Sequence, residues 1–187
     1  MSLATPSADP LFVARQQFLA LLHCGAHLLE AGCGEGDDLC FFRQQGLVVT
    51  AFDARLAQAR VASRRSGQPV RVCRIDQLRS VVPYDGIWAR GALPLLATSE
   101  LSDALAHLAG LLKPAGPLYC AFPHPSGQPA SSDDTPEAAS PLAEDRLSRL
   151  DEEGLRRLIA PLPLQLQQCW ESERTDGRRL HALLLRS

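Results

Sequence analysis

The chain has 187 residues, which fits one domain with a substantial core, and its 45% apolar and 21% charged residues are typical of an ordinary soluble globule. A net charge of −2 excludes a strongly basic surface, so we expect no nucleic acid or other polyanion as partner. Lys113 is the only lysine beside many arginines, which indicates a GC-rich genome. No apolar run is long enough for a membrane span or follows a basic leader, which predicts a cytoplasmic protein.

The first predicted element is an amphipathic helix over residues 9–22. Asp9 is a typical N-cap residue, and Pro10 suits the first helical position because its missing N–H group would have no partner there. Apolar side chains recur at roughly helical spacing along the rest of the segment. This spacing predicts that one face of the helix packs on the domain.

A glycine-rich turn follows a short apolar run that ends at Glu30. The turn reads EAGCGEG over 30–36, helix-forming residues come next, and a second apolar run over 48–52 ends on Asp53. A strand, a glycine-spaced turn, a helix and a second strand that ends on a carboxylate outline a nucleotide-binding β-α-β unit. The sequence therefore predicts a cofactor that contains a nucleoside.

The charge of this turn selects among nucleoside cofactors. A dinucleotide site needs a small residue at the sixth position of G-x-G-x-x-G, where the helix faces a pyrophosphate, but this position is Asp37. Together with Glu30, Glu35 and Asp38 it makes the turn acidic. An acidic turn favours a cofactor that carries an ammonium and a sulfonium group and no phosphate, which describes S-adenosylmethionine. Asp53 would accept hydrogen bonds from the ribose of either cofactor and does not discriminate.

The remaining pattern predicts alternating helices and strands in a single domain over 1–187. In chain order they are a helix over 54–65, a strand over 70–75, a short turn of helix around 76–80, a strand over 84–89, a helix over 98–113 capped by Thr98 or Ser99, and a strand over 118–122. A helix over 150–159 and two strands over 164–171 and 179–186, joined by a turn at 175–178, close the chain.

Residues 123–146 form a long segment without apolar periodicity. Prolines and serines are frequent between 123 and 141, and such a composition cannot bury enough surface to fold alone. We predict a mobile loop that acts as a lid at the carboxyl edge of the sheet, where open α/β proteins bind ligands. His124 begins this segment and is the candidate general base, because an ordinary histidine pKa of about 6.5 suits proton removal. A surface histidine between two prolines is the competing interpretation.

The cysteines predict neither a metal site nor a disulfide framework. The six residues contain no C-x-x-C pair and have no histidine at zinc-ligand spacing. Several lie in apolar, strand-like runs, as expected for reduced core thiols. Cys33 lies in the glycine-rich turn, where a small side chain fits best.

Five segments occur in a set order between about residues 27 and 122. They are the turn over 30–36, Phe52-Asp53, Asp76-Gln77, YDGIWA over 84–89 and LLKPAG over 111–116. In this order and spacing the chain resembles the class I S-adenosylmethionine-dependent methyltransferases, and more narrowly the small bacterial ones related to tellurite-resistance methyltransferases. The resemblance implies an α/β, Rossmann-like doubly wound sheet of seven strands, mostly parallel, with a C-terminal antiparallel hairpin.

The resemblance also implies S-adenosylmethionine as cofactor and a small-molecule acceptor. Glu30 would anchor the methionine ammonium, Asp53 would bind both ribose hydroxyls, and Asp76 would accept from the adenine amino group. Phe12 and Arg15 of the first helix would border the cofactor. Further implied contacts come from the turn and from backbone near adenine and methionine: Ala31, Gly32, Cys33, Gly34, Gly36, Ala54, Ala89, Arg90 and Gln77, whose backbone would donate to the adenine ring.

Two departures from the family concern the chemistry. Relatives often have a histidine shortly after the fourth strand, whereas this chain reads GALPLL over 91–96 and has Leu95 there. In the turn before the fifth strand, relatives usually have a glycine where this chain has Ala115. Two alternatives to methyl transfer therefore stay open. One is another displacement or a cyclisation on S-adenosylmethionine by the same fold, and the other is a non-catalytic S-adenosylmethionine-binding protein. The sequence leaves the acceptor atom and the oligomeric state open.

Overall fold

The structure is a computed structural model that describes residues 9–125, 148–174 and 177–187. Its helices and strands are, in chain order, α1 (Pro10–Leu19), β1 (His27–Ala31), α2 (Asp37–Gln44), β2 (Val48–Asp53), α3 (Leu56–Ser66), β3 (Arg71–Val72), β4 (Gly86–Ala89), α4 (Thr98–Leu111), β5 (Pro117–Pro123), α5 (Glu152–Ile159), β6 (Leu164–Arg174) and β7 (Gly177–Arg186). Short 3₁₀ helices cover Ile75–Gln77 and Leu93–Leu95. From residue 126 onward, the predicted lid over 123–146 lies outside the described residues. The turn residues 175 and 176 lie outside them as well.

The seven strands form one sheet in the order β3-β2-β1-β4-β5-β7-β6. The pairs from β3 to β5 are parallel, whereas β7 is antiparallel to both β5 and β6. The prediction of a mostly parallel sheet with a C-terminal antiparallel hairpin is therefore confirmed. The strand order reverses between β1 and β4, and in such sheets ligands bind at this point, outside the carboxyl ends of the strands.

β4 and most of β1 and β5 are buried along their length, because helices cover both faces of the sheet. On one face, Trp88 stacks on Tyr119 with 3.8 Å between ring centroids and meets Phe18 and Phe42 edge-on. On the other face α4 and α5 contribute the buried side chains of Leu101, Leu105, Leu108, Leu155 and Ile159. None of the helices in the described ranges is long and apolar enough to cross a bilayer.

The third strand is shorter than predicted. β3 contains only Arg71–Val72 instead of 70–75, and it pairs with β2 through two residues at the edge of the sheet. Both side chains of β3 are exposed, so the strand lacks the burial that would extend it. The chain then turns into the 3₁₀ helix Ile75–Gln77.

The helix starts agree with the sequence in one case and differ in another. α1 begins after Asp9, whose carboxylate accepts a hydrogen bond from the Leu11 N–H at 3.2 Å, as the predicted N-cap requires. The cap of α4 is neither Thr98 nor Ser99, because the helix already starts at Thr98. The N-cap residue is Ala97, and its N–H group donates a hydrogen bond of 3.0 Å to the Glu100 carboxylate in the first turn of the helix.

Candidate cofactor site

The turn after β1 depends on glycine at three positions. Gly32, Gly34 and Gly36 have φ angles of 74°, 53° and 88°, a backbone conformation that L side chains rarely adopt. Gly32 also touches the chain after β4, since a Cβ atom on it would lie 2.7 Å from the backbone nitrogen of Ala92. The turn therefore packs directly on the segment after β4 at the carboxyl end of the sheet.

Asp53 ends β2 beside this turn, and its side chain is held from two directions. One carboxylate oxygen accepts from the Gly34 N–H at 3.0 Å, and the other accepts from the Arg55 N–H at 2.8 Å and from Arg55 Nε at 3.1 Å. The residue is 2% exposed. Because both oxygens are held in place, the carboxylate is preorganised for a ligand that approaches the end of β2.

A cavity of about 550 Å³ opens at the ends of β1 and β2 and extends toward α4. Predicted contacts that line it are Gly32, Asp53, Ala54 and Asp76, and further lining residues from the segment after β4 include Gly91, Ala92 and Leu95. The size and the position between β2 and the segment after β4 suit an adenosine. Gly32, Asp53 and Asp76, which come from three separate sequence motifs, therefore line the same cavity.

The structure corrects one predicted contact on the adenine side. The Gln77 N–H donates to the Arg74 carbonyl at 3.2 Å within the 3₁₀ helix, so it is not free to donate to an adenine ring. The Gln77 side chain in turn accepts from the Arg74 N–H at 3.1 Å. Asp76 does face the cavity, where a hydrogen bond from Arg74 Nε lowers the pKa of its carboxyl group.

Glu30, the residue before the last in β1, has a buried carboxyl group with an unsatisfied oxygen. The residue is 2% exposed, and its Oε2 atom has no hydrogen-bond partner among the residues that the structure describes. Burial raises the pKa of Glu30 well above 4.5, and the neighbouring Asp38 carboxylate raises it further. A buried acceptor without a donor is costly, so this atom marks a place where a ligand can donate.

Asp38 is the residue of the acidic turn that organises this region, and the sequence did not single it out. It is 3% exposed and accepts from Arg15 Nε at 2.8 Å and Nη2 at 2.5 Å, and from Arg90 Nε at 2.6 Å. The two arginines come from α1 and from the end of β4. Separations of 23 and 52 residues leave no local sequence signal for these contacts.

The other acids of the turn, Glu35 and Asp37, have exposed side chains. Asp37, the residue at the sixth motif position, is 59% exposed in its side chain and pairs with Arg65 Nη2 at 2.6 Å. Glu35 is exposed and lies near the same arginine. Glu30 and Asp38 are therefore the buried acids of the turn, whereas Asp37 lines the second cavity described below.

A second cavity of about 600 Å³ lies on the α1 side of the β4 end. Its lining combines the basic side chains of Arg15, Arg90 and Arg179 with the ring of Phe41. The Arg15 guanidinium stands 4.5 Å above the centre of that ring. Arg90 lines this cavity, and its neighbour Gly91 lines the first one.

Other predicted contacts are buried and present only backbone. Ala31, Cys33 and Ala89 belong to the core at the ends of β1 and β4. Burial raises the pKa of the Cys33 thiol to about 12, so the thiol is protonated and unsuited to act as a nucleophile. All six cysteines are free, and nowhere in the described ranges do three or more acidic, cysteine or histidine side chains gather around a possible metal ion.

The predicted base, His124, is not brought to either cavity. It follows β5, and its Nε2 atom lies 3.4 Å from Glu171 Oε1 on β6. The histidine that lines the second cavity is His181 on β7, which is buried. Its ring nitrogens lie 2.7 Å from the Tyr119 hydroxyl and 2.6 Å from the Ser172 hydroxyl.

Comparison with known proteins gives a family and a set of similar structures. A family model described as a methyltransferase domain matches residues 28–116, whereas none of the curated proteins matches the sequence. Magnesium protoporphyrin IX methyltransferase from Synechocystis with bound S-adenosylmethionine has a TM-score of 0.72 at 19% identity, covering 94% of this chain and 77% of that chain. An N1-methyltransferase of 1,6-didemethyltoxoflavin from Burkholderia thailandensis has a TM-score of 0.75 at 22% identity, with coverage of 94% and 77%. A TehB-like methyltransferase from Corynebacterium glutamicum has a TM-score of 0.70 at 17% identity, with coverage of 97% and 91%.

The sheet order and the similar structures define a protein of the class I methyltransferase fold. Residues 28–116 match the family model of a methyltransferase domain, and the solved structures that this chain resembles are methyltransferases of the same fold.

Proposed function

We propose that the protein transfers the methyl group of S-adenosylmethionine to a small-molecule acceptor. The observation that carries the proposal is the convergence of Glu30, Asp53 and Asp76 around the glycine turn, beside a cavity large enough for adenosine. Glu30 lies in β1, Asp53 ends β2 and Asp76 follows β3, and the parallel sheet brings the ends of these strands together.

The chain's own residues have a positioning task. S-adenosylmethionine, when bound, supplies an activated methyl group on an excellent leaving group. The protein needs to align an acceptor with that methyl group at near contact, and this alignment can account for much of the rate. Asp53 and Asp76 would hold the ribose and adenine, and Glu30 would hold the methionine ammonium. Ala31, Gly34, Gly36 and Ala89 would border these groups with backbone only.

The acceptor space is the second cavity. Its volume of about 600 Å³ suits a small molecule rather than a macromolecule, and Phe41 gives it an apolar wall. The similar structures named for a porphyrin and for a toxoflavin precursor support a small acceptor of this kind. We further propose a single domain over 1–187 in a bacterial cytoplasm, with no nucleic acid as partner, supported by the net charge of −2.

Binding and product analysis test the proposal. Calorimetry should show binding of S-adenosylhomocysteine and no binding of NAD at the same concentration, since Asp37 occupies the motif position at which a dinucleotide site needs a small residue. S-adenosylmethionine with a labelled methyl group, incubated with a panel of small amines, thiols, phenols and carboxylic acids, should then yield S-adenosylhomocysteine and a labelled acceptor. Release of methylthioadenosine would indicate a displacement at another carbon, and cofactor binding without any product would indicate a binding protein. Either result would contradict methyl transfer.

A further inference from the structure

We propose that the acceptor carries an acidic group and that Arg179 of β7 binds this group in the second cavity. The acid serves as an anchor and stays unchanged, while a nucleophile elsewhere on the same molecule receives the methyl group. The inference rests on the proposed function, because it names the chemical class of the acceptor and the side chain that selects it.

The first argument is the charge of the cavity wall. Three guanidinium groups line the cavity, those of Arg15, Arg90 and Arg179. Asp37 also lines it, and Asp38 pairs with both Arg15 and Arg90. In the described part of this wall three cations thus face two carboxylates, and a partly buried excess of positive charge attracts an anion.

The second argument is the row of residues that forms the floor of the cavity. β4 pairs with β5 in a register that brings Arg90, the residue after β4, next to Ala121, and Ala121 pairs with His181 of β7. Neighbouring strands lie about 4.8 Å apart, so about 10 Å separates the backbone at Arg90 from the backbone at His181. All three residues line the cavity. Because Ala121 carries only a methyl group, the floor leaves room for a ligand between two large side chains.

Arg179 stands at the β7 end of this floor. It precedes His181 by two residues on β7, so both side chains lie on the same face of the sheet, at the level of the last residue of β5. β7 is three strands away from β1, a distance of about 14 Å. Glu30 lies in β1, and the other acids that we assign to the cofactor belong to β2 and to the segment after β3. We therefore assign Arg179 to the acceptor and not to the cofactor.

The third argument is the electrostatic environment of the buried Tyr119 hydroxyl. Burial raises the pKa of Tyr119, whereas the charges of Arg90 and Arg179 both lower it. The two guanidinium groups therefore lie near the same hydroxyl, which is 2.7 Å from Nδ1 of His181. An anion bound to Arg179 is thus also stabilised by the charge of Arg90.

The opposite wall suits the rest of an organic acid. Phe41 of α2 and Leu11 of α1 line the cavity with apolar side chains, and both are partly buried against the core. An apolar or aromatic body fits against these residues, while its acid group reaches Arg179. Guanidinium groups bind carboxylates with two parallel hydrogen bonds, which adds geometric selection to the charge.

Matched pairs of small molecules test the inference. Each pair contains an acid and its amide, which offer the same nucleophile and differ in the negative charge: para-hydroxybenzoate and para-hydroxybenzamide, para-aminobenzoate and para-aminobenzamide, and para-hydroxyphenylacetate and its amide. Calorimetry would measure binding of each compound to the full chain saturated with S-adenosylhomocysteine, and product analysis would measure methyl transfer from S-adenosylmethionine. The variants are Arg179→Gln and Arg179→Lys. Arg178→Gln is the matched control, because Arg178 is the neighbour on β7 and its exposed side chain pairs with Glu171.

We expect at least one acid to bind about tenfold more tightly than its amide, as for a charged hydrogen bond. Arg179→Gln should abolish this difference and raise KM for the acid, with the affinity for S-adenosylhomocysteine within about twofold of the parent. Arg179→Lys should restore part of the preference, because lysine keeps the charge without the planar fork. Arg178→Gln should keep the whole preference.

Acids that bind the parent protein no better than their amides would overturn the inference. A preference that persists in Arg179→Gln would overturn it too, as would an equal loss of acid, amide and S-adenosylhomocysteine binding in that variant, which would assign Arg179 a purely structural role. Methyl transfer to the neutral compounds alone would overturn the inference and leave the proposed function intact. If the parent binds no S-adenosylhomocysteine, the proposed function itself fails.

Discussion

The backbone N–H of Gly34 donates a hydrogen bond of 3.0 Å to the carboxylate of Asp53, so the glycine turn after β1 is attached directly to the acid that ends β2. This contact joins two motifs that lie 19 residues apart. It makes the geometry of the turn depend on the same side chain that we assign to the ribose. Substitutions at either position should therefore affect cofactor binding and the local fold together.

Asp53→Asn should weaken binding of methylthioadenosine, the smallest ligand with the ribose. A charged hydrogen bond contributes about 1.5 to 3 kcal/mol, so we expect about a tenfold loss or more, measured by calorimetry. Asn retains an oxygen that can accept from Gly34, so the urea midpoint should change less than with Asp53→Ala, which leaves buried donors of Gly34 and Arg55 without an acceptor. Unchanged affinity in Asp53→Asn would disprove the ribose assignment.

Gly32→Ala should destabilise the protein more than Gly25→Ala. The two glycines have nearly the same φ, 74° and 73°, so the cost of a left-handed alanine, about 1 to 2 kcal/mol, is common to both. A Cβ at Gly32 would also collide with Ala92 at 2.7 Å, whereas a Cβ at Gly25 meets no atom within 4 Å. We expect this overpacking to add about 1 to 3 kcal/mol in urea unfolding and to reduce cofactor affinity. Equal losses in the two variants would show that the turn does not pack on the segment after β4.

The raised pKa of Glu30 predicts opposite pH trends for stability and for binding. Its proton is held more tightly in the folded protein than in the unfolded chain, where the pKa is about 4.5. The resulting stability is fully present below the unfolded pKa and is lost as pH rises through the folded value. An ammonium ligand favours the ionised form, so binding should release a proton and strengthen as pH rises toward that value.

Calorimetry of S-adenosylhomocysteine in two buffers with different ionisation enthalpies measures this proton release. Glu30→Gln should abolish both the release and the pH dependence of the affinity that Glu30 causes. A proton release of the same size in Glu30→Gln would assign the linkage to another group.

Ala115→Gly should stabilise the protein. Ala115 is the only non-glycine residue in the described ranges with a positive φ, 60°, which costs an L residue about 1 to 2 kcal/mol. Glycine removes that cost but loses about 0.4 to 1 kcal/mol through the freedom of the unfolded chain, so the expected net gain in urea unfolding is about 0.5 to 1 kcal/mol. Ala160→Gly, at an exposed right-handed position with φ −51°, should instead lower stability. A loss in both variants would refute the strain at Ala115.

His124→Asn should leave methyl transfer within about threefold of the parent, far less than the 10²-fold or greater loss of a general base. The reason is geometric, since Nε2 of His124 faces Glu171 at 3.4 Å and the residue lines neither cavity. Initial rates with the acceptor found in the product screen provide the measurement. A loss of about 10²-fold with normal cofactor affinity would instead support the base role that the sequence predicts.

Much of the fold and of the adenosine side of the site could be predicted from the sequence. The reason is local: a glycine-spaced turn needs positive φ angles, and an acid at the end of a parallel strand lies at the carboxyl edge of the sheet wherever the strands pair. Gly32, Asp53 and Asp76 therefore come together once β1, β2 and β3 are adjacent, and the structure places them around one cavity. The same local logic failed at Gln77, because its N–H is used within a 3₁₀ turn.

The buried ion-pair cluster around Asp38 was decided only by the tertiary structure. Asp37 and Asp38 are neighbours with the same charge, and the orientation of α2 against the sheet turns one outward to Arg65 and buries the other. The partners of Asp38 come from α1 and from the end of β4, which meet only after the helix has packed on the sheet. Residue spacing specifies a turn or a strand end because these depend on adjacent residues. A buried ion-pair cluster depends on how separate elements pack, which the spacing of residues along the chain does not encode.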